Sequence, residues 1–170
     1  MKHIEMYVDG GASPNPGTGA HAAFLLYGDP GAQHTRMVSG TAENVTNNQM
    51  EIQAVIAGLE ALKEGCEVTV YSDSQYVVNC GSGQSRRSAN VEWWAKYDLA
   101  QQRHVVSFVW QRGHNGNPGN ERCHAEVERL LRVRQANELV NAGERLSDDD
   151  WITQTKAAHK MRRQEMGLEE

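Results

Sequence analysis

The chain has 170 residues, 39% of them hydrophobic and 23% charged, which suits one globular domain with an appendage. No run of about 18 apolar residues exists, which excludes a transmembrane helix. The net charge of −5 argues against a protein that is basic all over, as many nucleic-acid binders are, although 8 of the 22 acidic residues fall after residue 135. The three cysteines (Cys66, Cys80, Cys123) form no CxxC pair, so neither a zinc site nor a disulfide framework is expected. The opening Met1-Lys2-His3-Ile4-Glu5 lacks the apolar stretch of a secretory signal, and a reducing cytoplasm is the expected location.

Residues 4–8 alternate apolar and polar and predict a strand ending at Asp9. A Gly/Pro/Asn-rich turn over 10–19 leads to an apolar strand over 20–27 and a third over 36–41, together an antiparallel meander. Thr46-Asn47-Asn48-Gln49 opens a helix that runs to Lys63, with Gly65 suited to its C-cap. Residues 67–71 form a fourth strand leading to Asp73, and a short helix follows with Tyr76, Val77 and Val78. A Gly/Ser/Arg loop over 81–88 precedes a helix over 90–102 and a fifth strand over 105–110. A second Gly/Asn-rich loop, 111–119, ends at a long helix starting near Asn120, with Cys123, Val127, Leu130 and Leu131 on one face. Ser147-Asp148-Asp149-Asp150 resembles a capping box for a last, largely polar helix. The order β-β-β-α-β-α-α-β-α predicts an α/β fold: a mixed five-stranded sheet, three strands antiparallel then two parallel, flanked by helices. A catalytic domain over 1–140 and a polar helical extension over 141–170 are the expected units.

Three acids carry the chemical argument. Asp9 and Asp73 end strands, where open sheets bind ligands, and Glu51 lies one turn into the first helix. If the first helix crosses over between strands one and four, Asp9 and Asp73 become neighbours. Clustered carboxylates repel, and a pair of hard divalent cations both relieves that repulsion and drives in-line phosphodiester hydrolysis. Each acid alone has an ordinary explanation: Asp before Gly-Gly forms turns, Asp before Ser-Gln caps helices, and a helical Glu is commonly solvated. The argument rests on the set.

The stretches Tyr7-Val8-Asp9-Gly10-Gly11, Asn15-Pro16-Gly17, Thr46-Asn47-Asn48-Gln49-Met50-Glu51, Ser72-Asp73-Ser74-Gln75-Tyr76-Val77, and Gly113-His114 with Asn120-Glu121-Arg122-Cys123 resemble type 1 ribonuclease H, in that family's order and spacing. The resemblance covers roughly residues 3–135 and implies a ribonuclease H-like fold. It implies an endonuclease that cuts the RNA strand of RNA–DNA hybrids with Mg²⁺ or Mn²⁺, two ions per site with substrate, giving 5′-phosphate and 3′-hydroxyl ends. By the same resemblance Asp9 would bridge both metals, and Glu51 and Asp73 would complete the second site. Glu51 would also touch a ribose 2′-hydroxyl. Asn15, Asn47 and Gln75 match positions that read the minor groove and 2′-hydroxyls, and Thr46 matches a residue that holds a DNA-strand phosphate. His114 would assist protonation or product release. Structural roles compete for some: Asn15 and Asn47 are good turn and cap residues, and Gln75 could be merely exposed. A monomer without membrane contact is expected.

The sequence departs from the family in three places. After Asn-Glu-Arg-Cys the family carries a fourth aspartate, and this chain carries His124. His124 could bind the metal or its water, with a tilt toward Mn²⁺, which tolerates imidazole better than Mg²⁺ does; this reading is preferred. Alternatively Glu121 or Glu128, on the same helix face, substitutes for the missing acid, or the site works with three acids and His124 is a surface residue. Cys123, next to it, is expected to be a buried apolar residue. The second departure is the loop over 81–90, which replaces the basic, Trp-containing protrusion of many relatives and has only Arg86 and Arg87 to offer a DNA strand. Trp94 fits the core, while Trp93 could serve core or substrate. Weak, salt-sensitive substrate binding is expected. The third is the tail, where acidic neighbours offset Arg162 and Arg163. An exonuclease of related fold would need Asp-x-Glu on the first strand, which Gly10-Gly11 contradicts. A catalytically weakened module that binds hybrid or double-stranded RNA is the alternative reading.

Overall fold

The computed structural model describes residues 1–141 and Lys160; the expected final helix and the extension beyond residue 141 otherwise lie outside the described residues. The elements run β1(Lys2–Ala12), β2(Gly17–Tyr27), β3(His34–Val45), α1(Asn47–Glu60), β4(Cys66–Ser72), α2(Gln75–Gly81), α3(Val91–Gln101), β5(Val105–Trp110) and α4(Pro118–Asn141). They form one sheet in the order β3-β2-β1-β4-β5. β1, β2 and β3 pair antiparallel, while β1–β4 and β4–β5 are parallel, as the meander followed by crossovers requires.

Strand alternation divides the core in two. On one face, Ile4, Met6 and Val8 of β1, Ala23 and Leu25 of β2, and Val68 and Val70 of β4 meet Ile52, Val55, Ile56 and Leu59 of α1 and Trp94 and Tyr97 of α3. On the other, Ala20, Ala22 and Phe24 of β2 meet Cys123 and Val127 of α4, with Tyr7, Leu130 and Leu131 alongside. The small alanines let α4 lie close over β2. Ser39 donates to Glu126 at 3.0 Å, and Arg134 pairs with Glu43, tying α4 to β3 as well.

Several expected boundaries move. β1 does not end at Asp9: it continues to Ala12 because β2 pairs with it as far as Gly19. The expected 10–19 turn therefore shrinks to the residues between Ala12 and Gly17. α1 closes at Ala61 in ordinary helical geometry, so Gly65 is no C-cap; it passes instead beside the Arg103 backbone. α4 starts at Pro118, two residues before Asn120, a first-turn position proline fills without losing a hydrogen bond.

The 82–90 loop holds no helix and folds back on its own domain. Arg87 donates to the Cys80 carbonyl at 3.0 Å, pairs with Asp98 at 2.7 Å and lies over the Trp94 and Tyr97 rings. Trp94 is buried; Trp93 is half-buried against the core with the Lys96 ammonium 4.9 Å above its ring. Among the described residues no helix is long and apolar enough to cross a membrane.

Gly10 is the tightest junction of sheet and helix. A Cβ there would stand 2.3 Å from the Met50 carbonyl carbon and 2.5 Å from the Glu51 nitrogen, both backbone atoms that cannot rotate away. Gly10→Ala should therefore push α1 off β1 at a cost of about 1–3 kcal/mol, the usual penalty of overpacking. Urea unfolding checks it, and an unchanged midpoint would refute the close approach.

Candidate active site

Backbone register brings the first two acids together. The parallel β1–β4 ladder ends at Tyr7 and Tyr71, whose rings stack 4.9 Å apart. Asp9 on β1 and Asp73 just past the end of β4 each lie two residues beyond that pair, so both come out at the same edge. Glu51 arrives from α1 because the helix rests directly on Gly10. Helix α1 starts where it does because Thr46 caps it: its hydroxyl accepts from the Gln49 N–H at 3.2 Å, and the Gln49 side chain accepts from the Thr46 N–H at 3.0 Å. Ser74, not Asp73, caps α2 by accepting from the Val77 N–H, which leaves the Asp73 carboxylate free. The backbone of the β5–α4 loop closes over that carboxylate: a Cβ added at Gly113 would stand only 2.6 Å from Asp73 Oδ2.

Carboxylate oxygens of Asp9, Glu51 and Asp73 all lie within 4.8 Å of one another. Asp9 is 6% exposed and Glu51 8%. Burial first, and Asp73 second, push the Asp9 carboxyl up to about 6 from its ordinary 3.8, against the opposing influence of His124. Burial, with Asp9 and Asp73 adding repulsion, raises Glu51 well above the carboxylate range. Glu51 Oε2 is buried without a hydrogen-bond partner. A buried acceptor left bare costs about 1–3 kcal/mol, and a hard cation among the three carboxylates satisfies it and cancels their repulsion. The donor set is all oxygen, so the residues present fit a divalent ion such as Mg²⁺ or Mn²⁺.

His124 stands on α4 facing this cluster, with Nδ1 3.3 Å from Asp9 Oδ2. It is therefore no free surface residue. Its Nε2 is 3.4 Å from Glu128 Oε1, one turn further along α4. His114, exposed and held at a left-handed φ of 55°, sets its ring edge-on to His124 with centroids 4.6 Å apart. Glu128 does not join the three-carboxylate group, and Glu121 is exposed at the start of α4. Cys123 is buried, its thiol donating to the Tyr7 carbonyl and pushed far up by burial, so it is inert packing.

The expected substrate-reading residues fall in the β1–β2 turn (Asn15), at the start of α1 (Asn47) and at the start of α2 (Gln75). Asn15 and Asn47 are exposed, yet each spends its amide oxygen on backbone: Asn15 accepts from the Asn47 N–H at 3.0 Å and Asn47 from the Ala12 N–H at 2.7 Å. The expectations of fold and function coexist here, since both NH₂ groups remain available. Gln75 is exposed at the first turn of α2. One residue that sequence reasoning missed, and one that it placed in another role, also bear on the site. Asn90, at a left-handed φ of 55°, accepts from Gln49 at 3.3 Å and donates to the Tyr76 hydroxyl, bracing the Thr46 cap. Glu128 touches His124; its i+4 spacing was legible, but not the direction in which the imidazole points.

Comparison with known proteins bears on this geometry. The RNase H family model matches residues 1–131. The chain is 41% identical over 136 residues to a ribonuclease H of Lachnoclostridium phytofermentans, covering 71% of this chain and 86% of the relative. It is 38% identical over 144 residues to a ribonuclease HI of Helicobacter pylori, covering 79% and 98%. Among solved structures, RNase H1 from the halophilic archaeon Halobacterium salinarum superposes with a TM-score of 0.61 at 25% identity, over 76% of this chain and 97% of that one. LC9-RNase H1, described as a type 1 RNase H with the type 2 active-site motif, shares the fold at a TM-score of 0.66 and 24% identity, over 75% and 71%.

The raised carboxyls predict how the metal-free protein responds to pH. Asp9 binds its proton more tightly folded than unfolded, so protonation stabilises the fold below the ordinary carboxylate value, and that stabilisation is lost as pH rises through about 6. With a chelator present, the melting temperature should rise as the pH falls from about 7 to about 5. Saturating Mg²⁺ should abolish the rise, and metal-free Asp9→Asn should gain on the order of 1–2 kcal/mol at neutral pH. A chelated protein that melts lower at the acid end, in step with Asp9→Asn, would contradict the crowding.

Proposed function

The chain belongs to the ribonuclease H family, and from that premise we propose that it hydrolyses the RNA strand of RNA–DNA hybrids at internal phosphodiesters, leaving 5′-phosphate and 3′-hydroxyl ends. The observation that carries this is the convergence of Asp9, Glu51 and Asp73 within 4.8 Å at one sheet edge. With substrate, two Mg²⁺ or Mn²⁺ ions held by Asp9, Glu51, Asp73 and His124 would supply an activated water and neutralise charge on the attacked phosphate and leaving oxygen. Asp9, which lies between the other acids and His124, would serve both ions. Glu51, fixed by burial, also accepts from a ribose 2′-hydroxyl. His124 brings a neutral nitrogen where the family has an anionic oxygen, which favours Mn²⁺. His114, exposed beside His124, gives a proton to the departing 3′-oxygen and clears the product.

Asn15, Asn47 and Gln75 turn donors toward the minor groove, where hydroxyls distinguish RNA from DNA; no base sequence is read. The Thr46 hydroxyl uses a lone pair on its helix and keeps its hydrogen for a DNA-strand phosphate. Arg87 is committed to Asp98 and the aromatic core, which leaves exposed Arg86 as the loop's cation for DNA. Few phosphate contacts imply weak binding that salt disrupts. The protein acts as a monomer in this reading, with the hybrid as its partner and the cytoplasm as its place of work.

A labelled RNA–DNA hybrid tests the proposal. The RNA strand should be cut with either metal, and Asp9→Asn should slow cutting by about three orders of magnitude, the several kcal/mol that metal catalysis provides. His124→Ala should raise the Mn²⁺ concentration needed for half-maximal rate by about tenfold. Because His124 replaces an acid, a second reading remains: a folded protein that binds the hybrid without cutting it under either metal would be a binding module and would end the enzymatic one.

A further inference from the structure

Glu128 is used by nothing above, yet it faces one of the two nitrogens of His124. The imidazole lies between two carboxylates: Nδ1 is 3.3 Å from Asp9 Oδ2 and Nε2 is 3.4 Å from Glu128 Oε1. A neutral imidazole has one hydrogen and one lone pair, so the choice of tautomer decides which nitrogen can bind a cation. With the hydrogen on Nδ1, His124 donates to Asp9 and blocks the metal side. With the hydrogen on Nε2, it donates outward to Glu128, and the Nδ1 lone pair points into the cluster. Neighbouring donors on an octahedral ion at about 2.1 Å stand about 3 Å apart, close to the Nδ1–Asp9 separation.

We propose that Glu128 is a positioning residue that accepts from His124 Nε2–H, fixes the tautomer with Nδ1 free, and so makes the imidazole a metal ligand. The inference rests on the reading of His124 as a ligand and adds the residue that makes it one. Metal-bound histidines generally donate their second nitrogen to a carboxylate, carbonyl or water, and losing that partner typically weakens metal binding 10–100-fold. Glu128 is suited to the task. It sits one helical turn from His124, its carboxylate is half-exposed and free to rotate the few tenths of an ångström needed for a full hydrogen bond, and its other oxygen is 3.7 Å from Arg132. In the sequence Glu128 stood as a candidate substitute for the missing acid. The structure keeps it out of the carboxylate group and against the imidazole instead.

The test is Mn²⁺ binding to the full-length, substrate-free protein, read from the electron paramagnetic resonance signal of free Mn²⁺, with Mg²⁺ competition giving the selectivity. Wild type is compared with E128A, E128Q and H124A, each checked for an unchanged fold by circular dichroism; Glu128 is exposed on a helix surface and tolerates substitution. H124A should weaken Mn²⁺ binding and reduce the preference for Mn²⁺ over Mg²⁺. E128A should weaken Mn²⁺ about tenfold and move the preference the same way, while E128Q, whose amide oxygen still accepts from Nε2–H, should restore most of both. A loss in H124A with none in E128A overturns the role of Glu128 and leaves His124 a ligand. E128Q as weak as E128A also overturns it, because Glu128 would then act through its charge alone. No change in H124A removes the ligand reading and this inference together.

Discussion

Three carboxylates held within 4.8 Å of one another in a largely buried site repel strongly, and the fold is arranged to hold them there. The constraint comes from backbone rather than side chains. Asp9 and Asp73 share an edge because the parallel ladder of β1 and β4 ends in step at Tyr7 and Tyr71. Glu51 joins them because Gly10 has no side chain and α1 packs against bare backbone. Neither device yields to electrostatic pressure, since a ladder slip would turn every β1 side chain to the wrong face and α1 is fixed to the sheet by its large apolar contact. The repulsion is left for protons or a cation to relieve, and Glu51 Oε2 is buried there without a hydrogen-bond partner.

The rim follows the same economy of using one group twice. Asn15, Asn47 and Thr46 are structural residues first: their oxygens close the β1–β2 turn, the end of β1 and the start of α1. What remains for a substrate is the donor half of each group, held rigid by the backbone bonds of the acceptor half. Rigid donors would suit the proposed reading of hydroxyls and groove shape rather than base sequence. Arg87 shows the opposite outcome. Its guanidinium is consumed by Asp98, the Cys80 carbonyl and two aromatic rings, so a residue that looked like a free cation contributes to core packing.

Local signals were legible in the sequence wherever chemistry and structure agreed. The alternation of β1, the Thr46–Gln49 capping box and the Asp73-Ser74 strand–helix junction were all readable, and with them the edge where Asp9, Glu51 and Asp73 meet. Strand ends were less legible, because Gly10 and Gly11 look like a turn and are in fact ladder residues paired with His21 and Ala20. The smallness of Gly10 serves the helix above it, a tertiary reason no local pattern carries. The left-handed Asn90 that braces the α1 cap, and the direction of the His124 ring, depend on contacts between distant segments and were out of reach for the same reason.

His124 changes the balance that the fold otherwise strikes. A fourth carboxylate beside Asp9 would add another negative charge where burial, and then Asp73, already push Asp9 up to about 6. An imidazole in its place lowers the repulsion that the metal-free protein must bear. If His124 serves as the proposed ligand, the same exchange would remove an anionic oxygen from the donor set, so a hard cation would be attracted less strongly and one that accepts nitrogen would gain by comparison. On the proposed reading, stability without metal and affinity for Mg²⁺ would move in opposite directions at this one position, as expected where a strained site and a stable fold compete for the same residue.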